Sequence, residues 1–112
     1  MKESEIQEKV TLFAIHIGLV PVRINVTGRK GWPDYGYGYL GRMCFVEFKK
    51  PGEKPEPLQA HVHGVLREAG FDVFVVDGIE QGKTLLAEWK EYVDEGPNMA
   101  RLRPADYRDQ RS

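Results

Sequence analysis

The chain has 112 residues, of which 41% are hydrophobic and 29% are charged, and its formal net charge at pH 7 is −1. This length is typical of one domain, no apolar run approaches the roughly 20 residues of a membrane span, and the acidic start is unlike a secretion signal. The single cysteine, Cys44, excludes an internal disulfide framework. We therefore expect a reduced, cytoplasmic setting. The low net charge argues against nonspecific coating of nucleic acid.

Apolar periodicity and turn residues divide the chain into seven predicted elements. In chain order they are a helix over residues 3–18, strands over 21–26, 34–40 and 43–50, a helix over 58–69, a strand over 71–77 and a helix within 78–92. We expect the first three strands to be antiparallel, because they are close in sequence, and the fourth to run parallel to the third after a helical crossover. This αβββαβ order with a C-terminal helix predicts an α/β fold with a mixed sheet (α+β), in which some neighbouring strands are antiparallel and others parallel.

The sequence indicates one domain over residues 1–93, followed by a polar tail over 94–112. We expect the tail to be loosely ordered or to serve as a partner-binding arm. Four arginines of this tail could contact phosphate: Arg101, Arg103, Arg108 and Arg111.

Charge is distributed unevenly along the chain. Residues 21–54 hold seven positive and three negative side chains, whereas residues 59–96 hold three positive and eight negative ones. The first region would form a cationic surface around a site if its acids Asp34 and Glu47 hold a metal. Uneven scatter without a function is the alternative interpretation.

The second strand alternates an acid and glycines with tyrosines. Asp34 shares one face with Gly36 and Gly38, and the three tyrosines share the other. Glycines beside an acid would leave room for a ligand or another backbone. The tyrosines are expected to pack against a helix.

The third strand places a glutamate inside an apolar run. The run over residues 43–48 predicts a central strand buried on both faces, where Glu47 is costly unless it is paired or bound to a metal. Lys49 shares its face. A carboxylate and an ammonium on one face, beside Asp34 of the neighbouring strand, can hold a divalent metal and a water next to a phosphate. A solvated strand pair is the alternative.

Four other polar side chains are interpreted as lying outside a site. His61 and His63 are two residues apart on a helix and do not face each other, so they are interpreted as unrelated surface or groove residues. Asp72 and Asp77 flank the fourth strand and are expected to be exposed.

The whole pattern resembles the VRR-NUC family of the PD-(D/E)XK nuclease superfamily, over roughly residues 3–79. The matching residues are Pro33-Asp34, Glu47-Phe48-Lys49 and Gln59, with Glu3 and Gln7 on the first helix and Arg23-Ile24-Asn25 before the turn. An E-x-K triplet alone is a weak signal. Its combination with a G-x-P-D turn, a short hairpin, a proline-rich loop and a helix opening at glutamine is specific. The resemblance implies a restriction-endonuclease-like core.

The resemblance also implies a role for each matching residue. Asp34, Glu47 and the backbone carbonyl of Phe48 would bind Mg²⁺ or Mn²⁺, hard cations that prefer oxygen ligands. Lys49 would position or deprotonate the attacking water and offset charge on the phosphate. Gln59 would orient the lysine, the water or a phosphate oxygen, unless it is a plain residue at the start of a helix.

Further positions are implied around this centre. Glu3 would complete the metal shell, with Glu5 and Gln7 as close rivals and a first-turn polar residue as the alternative. The cations expected to contact DNA are Arg23, Arg29, Lys30, Lys50 and Lys54.

Small stand-alone members of the family are similar to structure-specific endonucleases that cut four-way junctions as homodimers. The resemblance thus implies a Mg²⁺- or Mn²⁺-dependent endodeoxyribonuclease, a homodimeric Holliday junction resolvase of a bacterial or phage-infected cell, with no membrane partner and no organic cofactor. A two-fold axis would supply the two symmetric cuts. A flap or nicking endonuclease is one alternative. A catalytically inactive DNA-binding module is another, which the intact Asp34, Glu47 and Lys49 disfavour.

Overall fold

The secondary structure follows the predicted order. The computed structural model describes residues 1–25 and 30–96, and its elements are α1 (Glu3–His16), β1 (Val20–Arg23), β2 (Tyr35–Tyr39), β3 (Arg42–Phe48), α2 (Pro57–Glu68), β4 (Asp72–Val76) and α3 (Ile79–Glu95). The strands form one sheet in the order β1-β2-β3-β4. The first two pairings are antiparallel and the pairing of β3 with β4 is parallel, so the predicted strand directions are confirmed.

The sheet separates two apolar layers. On one face, Tyr37, Val46 and Phe48 are fully buried among residues of α1 and α3. On the other face, Phe45 and Val73 pack with residues of α2. Because side chains alternate along β3, its apolar positions fill both layers while Glu47 faces the α2 side.

The tyrosines of β2 pack against helices, as the sequence predicted. The hydroxyl of Tyr37 lies 2.8 Å from Oγ1 of Thr11 on α1. The hydroxyl of Tyr39 donates to Oδ1 of Asp94 on α3 at 2.5 Å. These contacts attach both helices to the same strand.

The glycines of β2 leave unequal space. A Cβ built on Gly36 would lie 2.9 Å from Sδ of Met43, so a side chain of the neighbouring strand fills the space there. A Cβ built on Gly38 would meet its nearest atom, Cε of Met43, at 3.8 Å, an ordinary contact distance. The interpretation that this face leaves room for a ligand or another backbone is therefore wrong at Gly36 and stays a prediction at Gly38.

One expectation about the acids that flank β4 is wrong. Asp72 is 3% exposed, and its Oδ2 accepts a 3.0 Å hydrogen bond from Nε1 of Trp89 in α3. A buried carboxylate requires a donor, and this donor comes from a distant part of the chain. Asp77 is partly exposed, and its Oδ2 accepts the backbone N–H of Gly52 at 3.0 Å.

Helix α3 extends through Glu95, so the first two residues of the predicted tail are helical. The rest of that tail, with its four arginines, lies outside the described residues apart from Gly96, which ends the helix. None of the described helices combines the length and the apolar character needed to cross a membrane.

Candidate active site

The pairing of β2 with β3 brings two acids face to face. Tyr35 pairs with Val46, so the antiparallel register extended by one pair sets Asp34 opposite Glu47. The backbone N–H of Asp34 donates to the carbonyl of Val46 at 3.1 Å. Its side-chain Oδ2 accepts the backbone N–H of Phe48 at 2.8 Å. Main chain and side chain together attach Asp34 to the strand that carries Glu47.

The loop before Asp34 packs closely on α2. Gly31 has a φ of 88°, in the left-handed region that favours glycine. A Cβ at this position would lie 2.9 Å from Cγ of Leu58 and 3.0 Å from its carbonyl oxygen. Pro33 is fully buried. The G-x-P-D sequence therefore forms a turn whose first position, Gly31, favours glycine. This turn determines the position of Asp34.

Glu47 is buried, and two side chains of α2 hold it. It is 2% exposed. Nε2 of Gln59 donates to its Oε2 at 3.2 Å, and Nε2 of His63 lies 3.4 Å from its Oε1. The other end of the Gln59 amide accepts the backbone N–H of Glu56 at 2.8 Å, which determines that the NH₂ group faces Glu47. Gln59 thus contacts an acid of the site, where the sequence interpretation gave it a lysine, water or phosphate partner.

The two acids repel each other. Burial raises the pKa of Glu47, the contact with His63 opposes that rise, and the charge and hydrogen-bonding contact of Asp34 add to it. A divalent cation would relieve the repulsion, and carboxylate oxygens are the ligands that Mg²⁺ and Mn²⁺ prefer. The pair therefore fits such an ion, with the backbone of Phe48 directly beside it.

Glu3 lies near this pair. Burial raises its pKa, the negative charge of Asp34 raises it further, and the positive charge of Lys49 acts in the opposite direction. Within residues 1–25 and 30–96, no three His, Cys, Asp or Glu side chains form a group that could hold a metal. Glu3 therefore lies in the electrostatic field of Asp34 and Lys49, and its place in a metal shell stays a prediction.

Glu5 and Gln7 are the two rivals of Glu3. Glu5 is exposed. Gln7 lines an open hollow between α1 and Tyr35. The charge of Asp34 acts on Glu3, which favours Glu3 over the exposed Glu5.

Lys49 follows the end of β3 on the face of Glu47. Its side chain is 9% exposed, and its backbone N–H donates to the carbonyl of Val76 at 2.9 Å, which continues the parallel pairing. In the part of the chain that the structure describes, its Nζ has no ion-pair or hydrogen-bond partner. Its positive charge acts on Glu3, and the ammonium remains available to a ligand.

The predicted DNA-contacting cations are exposed where they are described. Arg23 ends β1, Lys30 precedes the G-x-P-D turn, and Lys50 and Lys54 belong to the proline-rich loop. That loop is fastened to the end of β4 by the contact between Gly52 and Asp77. Arg29 lies outside the described residues.

Sequence reasoning missed His63. It was interpreted as a surface or groove residue unrelated to the site, but it is 2% exposed and contacts Glu47. The signal was its distance from Gln59, because residues four apart lie on the same face of a helix. His61, with which it was compared, is exposed.

The mixed four-stranded sheet and its three described helices define a restriction-endonuclease-like fold. A solved structure of a VRR_NUC domain matches with a TM-score of 0.71 and 29% identity, covering 78% of this chain and 96% of that one. A protein named "Putative nuclease p44", from Acyrthosiphon pisum secondary endosymbiont phage 1, is 33% identical over 88 residues, which are 78% of this chain and 95% of that protein. No model of a protein family matches the sequence. On these similarities, the chain belongs to the VRR-NUC family of nucleases.

Proposed function

We propose that this nuclease is a Mg²⁺- or Mn²⁺-dependent, structure-specific DNA endonuclease that resolves four-way junctions as a homodimer. The observation that carries the proposal is the group formed by Asp34, Glu47 and Lys49. Glu47 is buried beside Asp34, whose charge raises its pKa, and Lys49 follows Glu47 by two residues at the end of the same strand. A buried acid beside a second acid is unfavourable without a cation, so its presence favours a site that works with an ion.

Each residue contributes to hydrolysis through its charge and position. A bound divalent cation would supply Lewis acidity and lower the pKa of the attacking water. Asp34 and Glu47 would hold that ion, with the Phe48 backbone beside them. Lys49 would orient the water with its N–H donors and offset the negative charge that develops on the phosphate. When the phosphodiester bond breaks, the departing oxygen takes up a proton from solvent or from a water in the site.

The DNA would be bound by its backbone. The exposed cations Arg23, Lys30, Lys50 and Lys54 flank the site on successive segments of the chain. Lysine and arginine contacts to phosphate give binding that depends on shape and salt more than on sequence. The similarity to a phage nuclease supports activity in the cytoplasm of a bacterial or phage-infected cell.

The homodimer follows from the symmetry of the substrate. The described residues supply one group of this kind per chain, so one chain would make one cut at a time. Resolution of a junction requires two cuts related by a two-fold axis, and a homodimer with closed symmetry provides them.

The test is cleavage of a labelled four-way junction, beside duplex, flap and single-stranded DNA of matched sequence. Each reaction contains Mg²⁺, Mn²⁺ or EDTA, and the native chain is compared with Lys49→Ala. Light scattering after size exclusion gives the mass of the free and junction-bound protein. We expect paired symmetric cuts in the junction, dependent on metal and on Lys49, from a dimer.

The other outcomes separate the alternatives. Cuts in flap or duplex alone would keep a metal-dependent endonuclease and remove junction resolution. Tight, salt-sensitive junction binding with no cut under any metal would leave a DNA-binding module. Paired cuts from a protein that stays monomeric on the junction would contradict the dimer.

A further inference from the structure

The carboxylate of Glu47 is contacted by one helix at both of its oxygens. Gln59 reaches Oε2 and His63 reaches Oε1. Both contacts, at 3.2 and 3.4 Å, are longer than the most frequent N–H···O distance of about 2.9 Å. Glu47 therefore lies between two side chains of α2, and neither contact is a short hydrogen bond.

The two donors form one rigid unit. Residues 59 and 63 are four apart, so their side chains project from the same face of α2 one turn from each other. Gln59 is fixed at its far end by the backbone of Glu56. His63 is 2% exposed and has little freedom to change rotamer. The helix thus presents a preformed pair of N–H groups to the carboxylate.

The protonation states of Glu47 and His63 determine which of the two side chains donates the hydrogen bond. A metal ligand is ionised, and an ionised carboxylate only accepts hydrogen bonds, so in that state the contact requires the hydrogen on Nε2 of His63. With one N–H on each oxygen, α2 would set the orientation of the carboxylate. Asp34 lies close enough to the same carboxylate to raise its pKa.

We infer that His63 is a positioning residue, which together with Gln59 orients Glu47 so that this acid and Asp34 bind one divalent cation. The inference rests on the proposed metal-dependent function. His63 does not touch the ion, the water or the DNA in this role. Hydrogen bonds of this kind behind a metal ligand typically change metal affinity or activity by about 10–100-fold when removed.

A purely structural role is the competing explanation, since a buried carboxylate needs donors in order to fold. The two roles differ in what they require of the side chain. If the contact only supplies a hydrogen-bond donor to the buried carboxylate, its loss would change the free energy of unfolding alone. Positioning would show in cation affinity and kcat of a variant that is still folded.

The experiment titrates MnCl₂ alone into the protein by isothermal calorimetry, without DNA, and measures junction cleavage and thermal unfolding in parallel. His63→Leu replaces the imidazole with an apolar side chain of similar bulk and removes the donor. His63→Gln places an amide nitrogen close to the position of the histidine Nε2, whereas His63→Asn is too short to reach Glu47. His61→Leu is the matched control, because His61 is exposed on the same helix.

We expect His63→Leu and His63→Asn to weaken Mn²⁺ binding by about 10–100-fold and to lower kcat with little change in KM. His63→Gln should recover most of both losses, and His61→Leu should match the native chain. If His63→Leu unfolds, the Asn and Gln pair decides the question. Native Mn²⁺ affinity in His63→Asn, or a loss in His63→Gln equal to that in His63→Asn, would overturn the role of His63 and leave the proposed function standing. Absence of Mn²⁺ binding by the native chain would overturn both.

Discussion

The backbone N–H of Phe48 donates to Oδ2 of Asp34 over 2.8 Å, so an acid of β2 is hydrogen-bonded to the strand that carries Glu47. One oxygen of Asp34 accepts this bond, and the carboxylate also contacts Glu47. The same carboxylate therefore serves the architecture and the chemistry, and the two uses can be separated by substitution.

Asp34→Asn should separate them. The asparagine oxygen can still accept the Phe48 N–H, so we expect the free energy of unfolding to change by less than about 1 kcal/mol. The negative charge is lost, and junction cleavage should fall by at least about 100-fold. Chemical denaturation and single-turnover cleavage measure the two effects.

Asp34→Ala is the matched comparison. It removes the acceptor as well as the charge, and a buried N–H left without a partner costs about 1–3 kcal/mol. Equal stability of the Asn and Ala variants would show that the bond to Phe48 contributes nothing to the fold.

Lys49→Met should abolish cleavage while DNA binding persists. Lys49 is 9% exposed and its charge acts on Glu3, and methionine preserves most of its apolar length. Loss of a group that moves a proton or offsets charge typically lowers the rate by about 10²–10⁴-fold. Cleavage kinetics and fluorescence anisotropy with labelled junction report on the two steps.

Lys50→Met serves as the control for Lys49, because the next residue is exposed. Removing one phosphate contact should weaken binding and reduce its salt dependence by about one charge, with the rate at saturation unchanged. Equal losses of rate in both variants would contradict a special role of Lys49.

Glu3→Gln should weaken Mn²⁺ binding, by up to about tenfold. Glu3 raises the negative potential near Asp34. Glu5→Gln removes a charge two residues away, at an exposed position, and should leave the affinity unchanged. A larger loss in Glu5→Gln than in Glu3→Gln, measured by calorimetry, would reverse this assignment.

Local patterns in the sequence were sufficient to predict the sheet and the positions of the acids on it. Alternation along β3 assigned Glu47 and Phe48 to opposite faces, and the crossover through α2 required a parallel β4. Both follow from the geometry of neighbouring residues. The family resemblance supplied the roles of Asp34 and Lys49, which periodicity alone does not give.

The features that the sequence did not predict depend on contacts between residues that are far apart in the chain. Asp72 is buried because Trp89 donates to it from seventeen residues away. Gly36 faces a methionine of the next strand, and that contact depends on the register of the hairpin. His63 was within reach of a local argument, because its spacing from Gln59 is helical, but only the structure shows that both meet Glu47.

Cys44 should resist thiol reagents in the folded protein. It is fully buried, and burial raises its pKa well above the usual value, with the charge of Asp72 adding to the rise. At about pH 8.5, where a free thiol is half ionised, labelling by Ellman's reagent should proceed at the rate of global unfolding. The denatured chain, which should label at once, is the control. Rapid labelling without denaturant would show that the core around Cys44 opens locally.

Gly82→Ala should destabilise the protein although alanine favours helices. A Cβ on Gly82 in α3 would lie 2.7 Å from Cγ2 of Val10 and 2.8 Å from Cγ1 of Val76, and both valines are fully buried. Overpacking of this kind costs about 1–3 kcal/mol, which exceeds the gain in helix propensity of about 1 kcal/mol. Gly64→Ala is the matched control, since Gly64 lies within α2 and a Cβ there meets nothing within 4 Å. That variant should be more stable than the native chain by about 0.5–1 kcal/mol. Urea denaturation of both variants measures the difference, and stabilisation by Gly82→Ala would mean that α1 and α3 can move apart without loss.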